Sequence, residues 1–251
     1  MKNHIGKEFM KKTQYSYVTT SDQSQGLPTP HFELEYAHKM KSFNLPKPET
    51  LDFDKCTLQS AIEERMSIRK YSDKKMPLKE LSWLLWSTQG IRKYVQETIT
   101  LRNVPSAGAR HALETYLLIN NVETLDQGLY RYVASKHKLV EYIFDENIPD
   151  VIVKAALNQK FLKKNSVTFI WTAVPYRMVY RYSERSYRYL HIDVGHVCQN
   201  LYLAAEAIQA GVCAVAAFDD NLLNDALKID GDEQFVIYLA SVGKKMKDEI
   251  K

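Results

Sequence analysis

Only three cysteines occur in the 251 residues, Cys56, Cys198 and Cys213, and their placement excludes two function classes at once. They are far apart, odd in number and set in apolar stretches, so neither a disulfide framework nor a zinc ligand set can be drawn from them. They read as buried thiols of a reducing compartment. Long apolar runs are missing as well: none approaches the ~18 residues that span a bilayer. The polar start, with Lys2, Lys7, Lys11 and Lys12, holds no apolar signal region. A cytoplasmic protein with no membrane partner is expected. Glycine is sparse and nowhere arranged as a phosphate loop: Gly211 stands alone and Gly243 is followed by lysines, which excludes Walker and dinucleotide motifs. Ser106 lacks the flanking glycines of a nucleophile elbow, so no hydrolytic triad is supported. His191 and His196, on either side of Asp193, do not share a helical face, and no metal site is expected.

Charge of one sign is not in excess. The 34 Lys and Arg against 30 Asp and Glu leave +4, spread along the chain, which is a weak attraction for a polyanion but compatible with a phosphate-bearing ligand. A hydrophobic content of 45% with 25% charged residues is that of an ordinary globular chain long enough to bury a sizeable core.

Against these absences stand three short patches in fixed order. The first is Arg65-Met66-Ser67-Ile68-Arg69. In an extended segment side chains alternate, so Arg65, Ser67 and Arg69 are expected to point one way and Met66 and Ile68 inward. Two guanidinium groups and a hydroxyl then converge on one anion, each charge-assisted bond contributing roughly 1.5 to 3 kcal/mol. The second, Pro105-Ser106-Ala107-Gly108-Ala109, has only small side chains, which lets backbone approach a flat ligand. The third is Ala216-Ala217-Phe218-Asp219-Asp220. Taken singly, the first patch also fits solvated charges at a helix end, and the second an ordinary turn before a strand.

Residues 1–50 are polar and proline-bearing, and are expected to form an extended arm lying on a partner subunit or partly disordered, with the folded domain at 51–251. The patterning predicts helices over 54–65, from Pro77 to Gly90, over 151–161 and over 220–227. Strands are predicted at 113–121, 128–143 (bent at 134–137), 167–174, 212–218 and 234–242. Leu190, Val194, Val197, Leu201, Ala204, Ala205 and Ile208 form one stripe, giving a long buried helix over 186–210 ended by Gly211. Helices and strands mix without regular alternation, which favours α+β.

Several runs carry a resemblance to a known family. Leu101-Arg102-Asn103-Val104-Pro105-Ser106-Ala107-Gly108-Ala109, Leu113-Glu114-Thr115-Tyr116, Gly128-Leu129-Tyr130-Arg131-Tyr132 and His137-Lys138-Leu139 resemble the SagB-type dehydrogenase branch of the nitroreductase superfamily. So do Arg181 to Tyr189, Gly195-His196-Val197-Cys198-Gln199-Asn200-Leu201, Ala217-Phe218-Asp219-Asp220 and Phe235 to Gly243. The resemblance spans about residues 45–245. It implies a nitroreductase-like fold, a mainly antiparallel mixed sheet surrounded by helices, and a homodimer with FMN at its interface. It also implies transfer of a hydride through flavin N5 to or from a small organic substrate; the residues do not name the electron donor, for which NADH and NADPH are candidates. By position, Arg65 and Ser67 would hold the FMN phosphate and Arg69 the pyrimidine edge. Pro105, Ser106, Ala107 and Gly108 would lie against the ring, and Ala216, Ala217 and Phe218 would approach N5. Lys244 or Lys245 would reach the phosphate. Enzymes of that branch that oxidise peptide thiazolines and oxazolines carry a lysine-tyrosine pair where this chain has Arg181-Tyr182. Arginine stays charged at any working pH and cannot serve as the base, so azoline oxidation is the alternative reading, and Tyr182 remains the candidate proton donor.

A rival from another class rests on residues 176–189, where five tyrosines and four arginines interleave as in a stacking platform for single-stranded nucleic acid. No basic tail or nucleic-acid module accompanies it, and no nucleic-acid partner is expected.

Overall fold

The computed structural model describes residues 4–37, 39–50, 52 and 56–246. Seven strands form one sheet in the order β1-β6-β5-β4-β7-β9-β8, and every neighbouring pair is antiparallel. They are β1 Ser42–Asn44, β4 Leu113–Ile119, β5 Gly128–Val133, β6 Lys138–Ile143, β7 Val167–Ala173, β8 Ala210–Val215 and β9 Phe235–Lys244. β2 Ile91–Gln96 and β3 Ile99–Arg102 make a separate hairpin. The helices are α1 Ile5–Lys12, α2 Leu58–Glu64, α3 Leu78–Gln89, α4 Ile148–Ala155, α5 Tyr176–Tyr182, α6 Ser186–Glu206 and α7 Asp220–Leu227. No helix among the described residues is long and apolar enough to cross a membrane.

Both faces of the sheet are covered, which explains why β4 and β7 are buried at every position. Alternation sends Leu113, Leu117 and Ile119 of β4 into the cluster built by α3 and α6, and Tyr116 and Leu118 into the one built by α4 and α7. The expected α+β architecture is thus observed. The stripe on α6 is buried as its spacing requires.

Several boundaries move, each for a local reason. The helix expected at 54–65 is observed as α2, capped by Thr57, whose side chain accepts from Ser60 N, while positions 54 and 55 lie outside the described residues. α6 stops at Glu206 rather than running to 210, because the chain turns at Gln209, with φ 51°, and Gly211 already belongs to β8. The helix expected at 151–161 begins earlier, with Pro149 in its first turn, and ends before the left-handed pair Leu157 and Asn158. Cys198 and Cys213 are buried, but Cys56 is exposed, lying just ahead of the α2 cap rather than in the core.

Described residues of the first fifty pack on their own chain. Arg185 donates to the Thr13 carbonyl at 2.9 Å and Arg188 to the Met10 carbonyl, while Gln23 N donates to Tyr180 O at 2.9 Å. Further on, Arg131 donates to the carbonyls of Leu34 and Glu35, and β1 adds an edge strand beside β6. The arginines and tyrosines of 176–189 that suggested a stacking platform are what catch this arm: Tyr176 binds Asp22, Tyr180 the Leu27 carbonyl, and Arg185 stacks 4.3 Å from the Tyr15 ring centroid.

Candidate functional site

The first patch is fixed to the free edge of β8. Ile68 N donates to Val212 O at 2.9 Å, and Ser67 bridges Val212 in parallel. This close approach depends on the paired glycines Gly211 and Gly243: a Cβ on Gly211 would lie 2.8 Å from Ile68 Cβ, and one on Gly243 2.6 Å from Tyr71 Cγ. Tyr71 in turn donates to the Ile68 carbonyl at 2.6 Å. Ile68 is buried and Ser67 and Arg69 are exposed, as alternation requires, but Met66 is 56% exposed instead of inward. The reason is that Arg65 still caps α2, so the extended run starts only after it. Arg65 sits over the Tyr202 ring, 5.4 Å from its centroid. Among the described residues no carboxylate pairs with Arg65 or Arg69.

The third patch continues β8. Val212 O and Ala214 N both turn to the outer edge, the first taken by Ile68 and the second by the Tyr202 hydroxyl at 2.9 Å. Extended-chain alternation turns the next donor of that series, Ala216 N, to the same side. Ala216 and Ala217 are exposed, and among the described residues neither N–H has an acceptor. The Ala217 carbonyl is held by Gln159 at 2.8 Å and Asp219 caps α7, so this corner is anchored on both sides. Phe218 packs half-buried against the α4–α7 cluster. From Val212 to Ala216 the chain rises about 13 Å at ~3.3 Å per residue, with cations and a hydroxyl at one end and open amides at the other.

Lys244 and Lys245 are not open cations. Lys244 Nζ lies 3.0 Å from Glu80 Oε2, and Lys245 Nζ 2.5 Å from Glu206 Oε2, each pair largely buried. Burial raises the Glu80 carboxyl above its ordinary range, with Lys244 opposing the shift.

The second patch is assembled elsewhere. Gly108, Ala109 and His111 all adopt positive φ, at 57°, 53° and 46°, a cluster of conformations costing of order 1 to 3 kcal/mol for each non-glycine residue. Among the bonds that hold it, Ala107 N donates to Asp193 Oδ1 of α6 at 3.3 Å, and His111 N to Ser106 Oγ at 2.9 Å. Burial raises the Asp193 carboxyl, partly offset by its bonds to Ser106 and Ala107, and its Oδ2 is a buried atom with no partner among the described residues. Arg181 and Tyr182 join this patch: a Cβ on Gly108 would stand 2.5 Å from the Tyr182 hydroxyl and 3.1 Å from Arg181 Cδ, so only glycine fits beneath the pair. A cleft of about 320 Å³ opens beside it, lined by Arg92, Arg102, Pro105, Ser106, Ala109 and His111.

His111 is 5% exposed, and burial first, then the Arg102 charge, pushes its imidazole from 6.5 down to about 3. Between those values the unfolded chain binds a proton that the folded one refuses, so stability rises with pH through this window and is lost as pH falls below 6.5. At ~1.4 kcal/mol per pH unit, the loss attributable to His111 reaches about 2 kcal/mol by pH 5. Urea unfolding at pH 7 and pH 5 checks this: His111→Asn, which tolerates the left-handed backbone, is expected to lose that much less than the parent. Equal losses would mean the imidazole is not held neutral.

Within one chain, the first and third patches meet along β8, whereas the second meets Arg181 and Tyr182. The two groups use opposite faces of α6, because Asp193 and Tyr202 are two and a half turns apart, about 14 Å along the axis. Tyr202 and Asp193 were not singled out in the sequence as site residues. Tyr202 stands beside the apolar stripe of α6, next to Leu201, and reads as core, and Asp193, set between His191 and His196, invites only a metal reading.

The model of the Nitroreductase family matches residues 62–244. A protein of Methanocaldococcus jannaschii bearing a nitroreductase name is 34% identical over 196 residues, covering 78% of this chain and 95% of its own. The trifolitoxin-processing protein TfxB of Rhizobium leguminosarum bv. trifolii is 26% identical over 154 residues, 60% of this chain but 41% of its own. Among solved structures, one from Ralstonia eutropha with a nitroreductase name superposes with a TM-score of 0.68 at 19% identity, over 88% of this chain and 95% of that one. The E. coli microcin synthetase McbBCD complex with truncated pro-MccB17 gives 0.61 at 17%, over 97% and 92%. A nitroreductase-named protein of Desulfovibrio desulfuricans in complex with FMN gives 0.53 at 16%, over 78% and 90%. At these identities the three structures speak to the fold.

Proposed function

The chain is an oxidoreductase of the nitroreductase family, and from that premise we propose that it works through FMN, passing a hydride between two small organic molecules in turn. The observation that carries this reading is the row of unspent donors along the outer edge of β8: Arg65, Ser67 and Arg69 without a described carboxylate partner, and beyond them the open amide of Ala216, with that of Ala217 open at the corner that follows. A ligand with a phosphate at one end and a flat acceptor-edged ring at the other satisfies all of them. When bound, FMN would supply the chemistry, accepting and giving a hydride at N5.

The residues have separate tasks. Arg65 and Ser67 would hold the phosphate, and Arg69 would place a positive charge by the pyrimidine edge, where it favours the reduced ring. Ala216 and Ala217 would offer N–H donors to the ring edge, with Phe218 packed behind them. The two lysines at the end of β9 would act indirectly, since Glu80 and Glu206 already neutralise them, Lys244 tying α3 and Lys245 the end of α6 to the sheet.

Pro105, Ser106, Ala107 and Gly108, with Arg181 and Tyr182, would complete the site from a second copy of the chain. This homodimer is supported by the opposite placement of the two groups on α6 and by an apolar row on α2 and just past its end, where Leu58, Ile62 and Met66 are 68%, 57% and 56% exposed. Tyr182 would then be the proton donor to a bound small-molecule substrate. Arg181 would act as a fixed charge.

TfxB and the microcin complex favour the SagB-type side of the family and keep azoline oxidation in play as the second reading. Arg181 in the lysine's place speaks against it, because a guanidinium gives up no proton. Reconstitution decides between them. Protein mixed with FMN is expected to retain it, turn yellow and bleach on addition of NADH or NADPH, with Tyr182→Phe keeping the flavin and slowing turnover. Retained flavin that no nicotinamide bleaches would favour the dehydrogenase, and protein that retains none would overturn both.

A further inference from the structure

Tyr202 lies in α6 with its ring in the core and its hydroxyl at the surface of the first patch, 8% exposed in all. Two groups meet that hydroxyl: Ala214 N–H donates to it at 2.9 Å, and Ser67 Oγ lies 3.0 Å away. A phenol has one proton. With its oxygen already accepting from the Ala214 amide, the one described acceptor for that proton is Ser67 Oγ. When the phenol donates, the serine is an acceptor toward Tyr202 and its own proton turns outward. Ser67 is exposed and among the described residues has no other side-chain partner. The Arg65 guanidinium, 5.4 Å from the centroid of the same ring, is steered to the same spot.

We propose that Tyr202 is a positioning residue that sets Ser67 as a one-way donor beside Arg65 and so makes the site select a phosphorylated flavin over the unphosphorylated one. This rests on the FMN reading. The relay runs from the Ala214 amide through the phenol to the serine hydroxyl and ends on an acceptor-only group. A phosphate oxygen offers nothing but lone pairs and carries charge, so it suits both the fixed donor and the guanidinium, whereas the neutral terminal hydroxyl of riboflavin accepts from either more weakly.

The test is the affinity for FMN and for riboflavin, each read by flavin fluorescence on titrating apoprotein, in the parent, Tyr202→Phe, Ser67→Ala and the double variant. Tyr202→Phe keeps the ring in the core and frees Ser67 to rotate. It is expected to weaken FMN roughly five- to twentyfold while riboflavin changes less than twofold. The double variant is expected to bind FMN no worse than Ser67→Ala alone, because the phenol acts through the serine. Equal losses for the two flavins would assign Tyr202 a purely structural role and overturn the relay. Additive losses in the double variant would overturn it too. Should Tyr202→Phe not fold, Ser67→Ala decides: an unchanged FMN-to-riboflavin ratio removes the outward donor. Failure of the parent to bind either flavin is a different result, and takes down the cofactor reading itself.

Discussion

Replacing Arg65 with alanine is expected to weaken FMN binding about tenfold to a hundredfold, and Arg65→Ala with Arg69→Ala to yield colourless protein that stays folded. The separation of the two effects follows from where the charges sit. Arg65 is half-buried at the end of α2 and Arg69 exposed beyond it, and no described carboxylate pairs with either. The fold therefore loses little when they go, about 1 kcal/mol for the contact of Arg65 with the Tyr202 ring and within about 0.5 kcal/mol for the exposed Arg69. What anchors the segment is Ile68, with its amide on Val212 and its side chain over Gly211. The flavin-to-protein absorbance ratio and the urea midpoint together check this. A double variant with a full flavin complement would mean that the phosphate is gripped elsewhere, and Lys244 or Lys245 would have to be released from its glutamate to do it.

Much of this was legible in the chain because local chemistry and tertiary role agree. Pro77 and Gly90 bracket α3, Asp219 caps α7 as its type and position suggest, and the stripe on α6 has the period of a helix buried along one side. The seven antiparallel pairings could not be read that way. β1 is three residues long, too short for alternation to mark it, and it pairs with a strand almost a hundred residues away. The β2–β3 hairpin has exposed Lys93, Tyr94, Val95 and Gln96, with no alternation to mark it.

For the site, the residue types were legible and their partners were not. Arg-x-Ser-x-Arg announces an anion by its spacing, whereas Lys244 or Lys245 is a phosphate contact only by resemblance, and only the fold brings Glu80 and Glu206 onto the two lysines. Gly211 looked like a helix stop. Its use is to leave room for Ile68, a requirement that arises only once two distant segments touch. Tyr202 was invisible for the same reason: an aromatic beside an apolar stripe reads as core, and its hydroxyl acquires meaning from Ser67 and Ala214.

Glu114→Gln is expected to cost about 3 to 5 kcal/mol of stability, the usual result of leaving a buried charge without its partner. Glu114 and Arg177 are both 3% exposed and their charged atoms are 2.7 Å apart. The same Oε1 also accepts from Leu34 N of the arm at 2.8 Å. A second buried cation depends on it, since Arg102 is drawn down by burial and held up first by Glu114, against the opposing charge of Arg177. Glutamine keeps the shape and the bond to Leu34 but leaves two buried guanidinium groups without this countercharge. Removing the pair together, Glu114→Leu with Arg177→Leu, is expected to be milder than Glu114→Leu alone, since no bare Arg177 charge then remains in the core. Urea unfolding of the parent, the single and the double variants measures both effects, and a double variant as unstable as the single would show that packing, not charge, is lost. The consequence reaches the site through α5: Arg177 lies one helical turn before Arg181, so releasing it loosens the helix that presses Tyr182 onto Gly108. Turnover should therefore fall in Glu114→Gln protein that remains folded, while the FMN-to-riboflavin affinity ratio, set on the other face of α6, stays where it was.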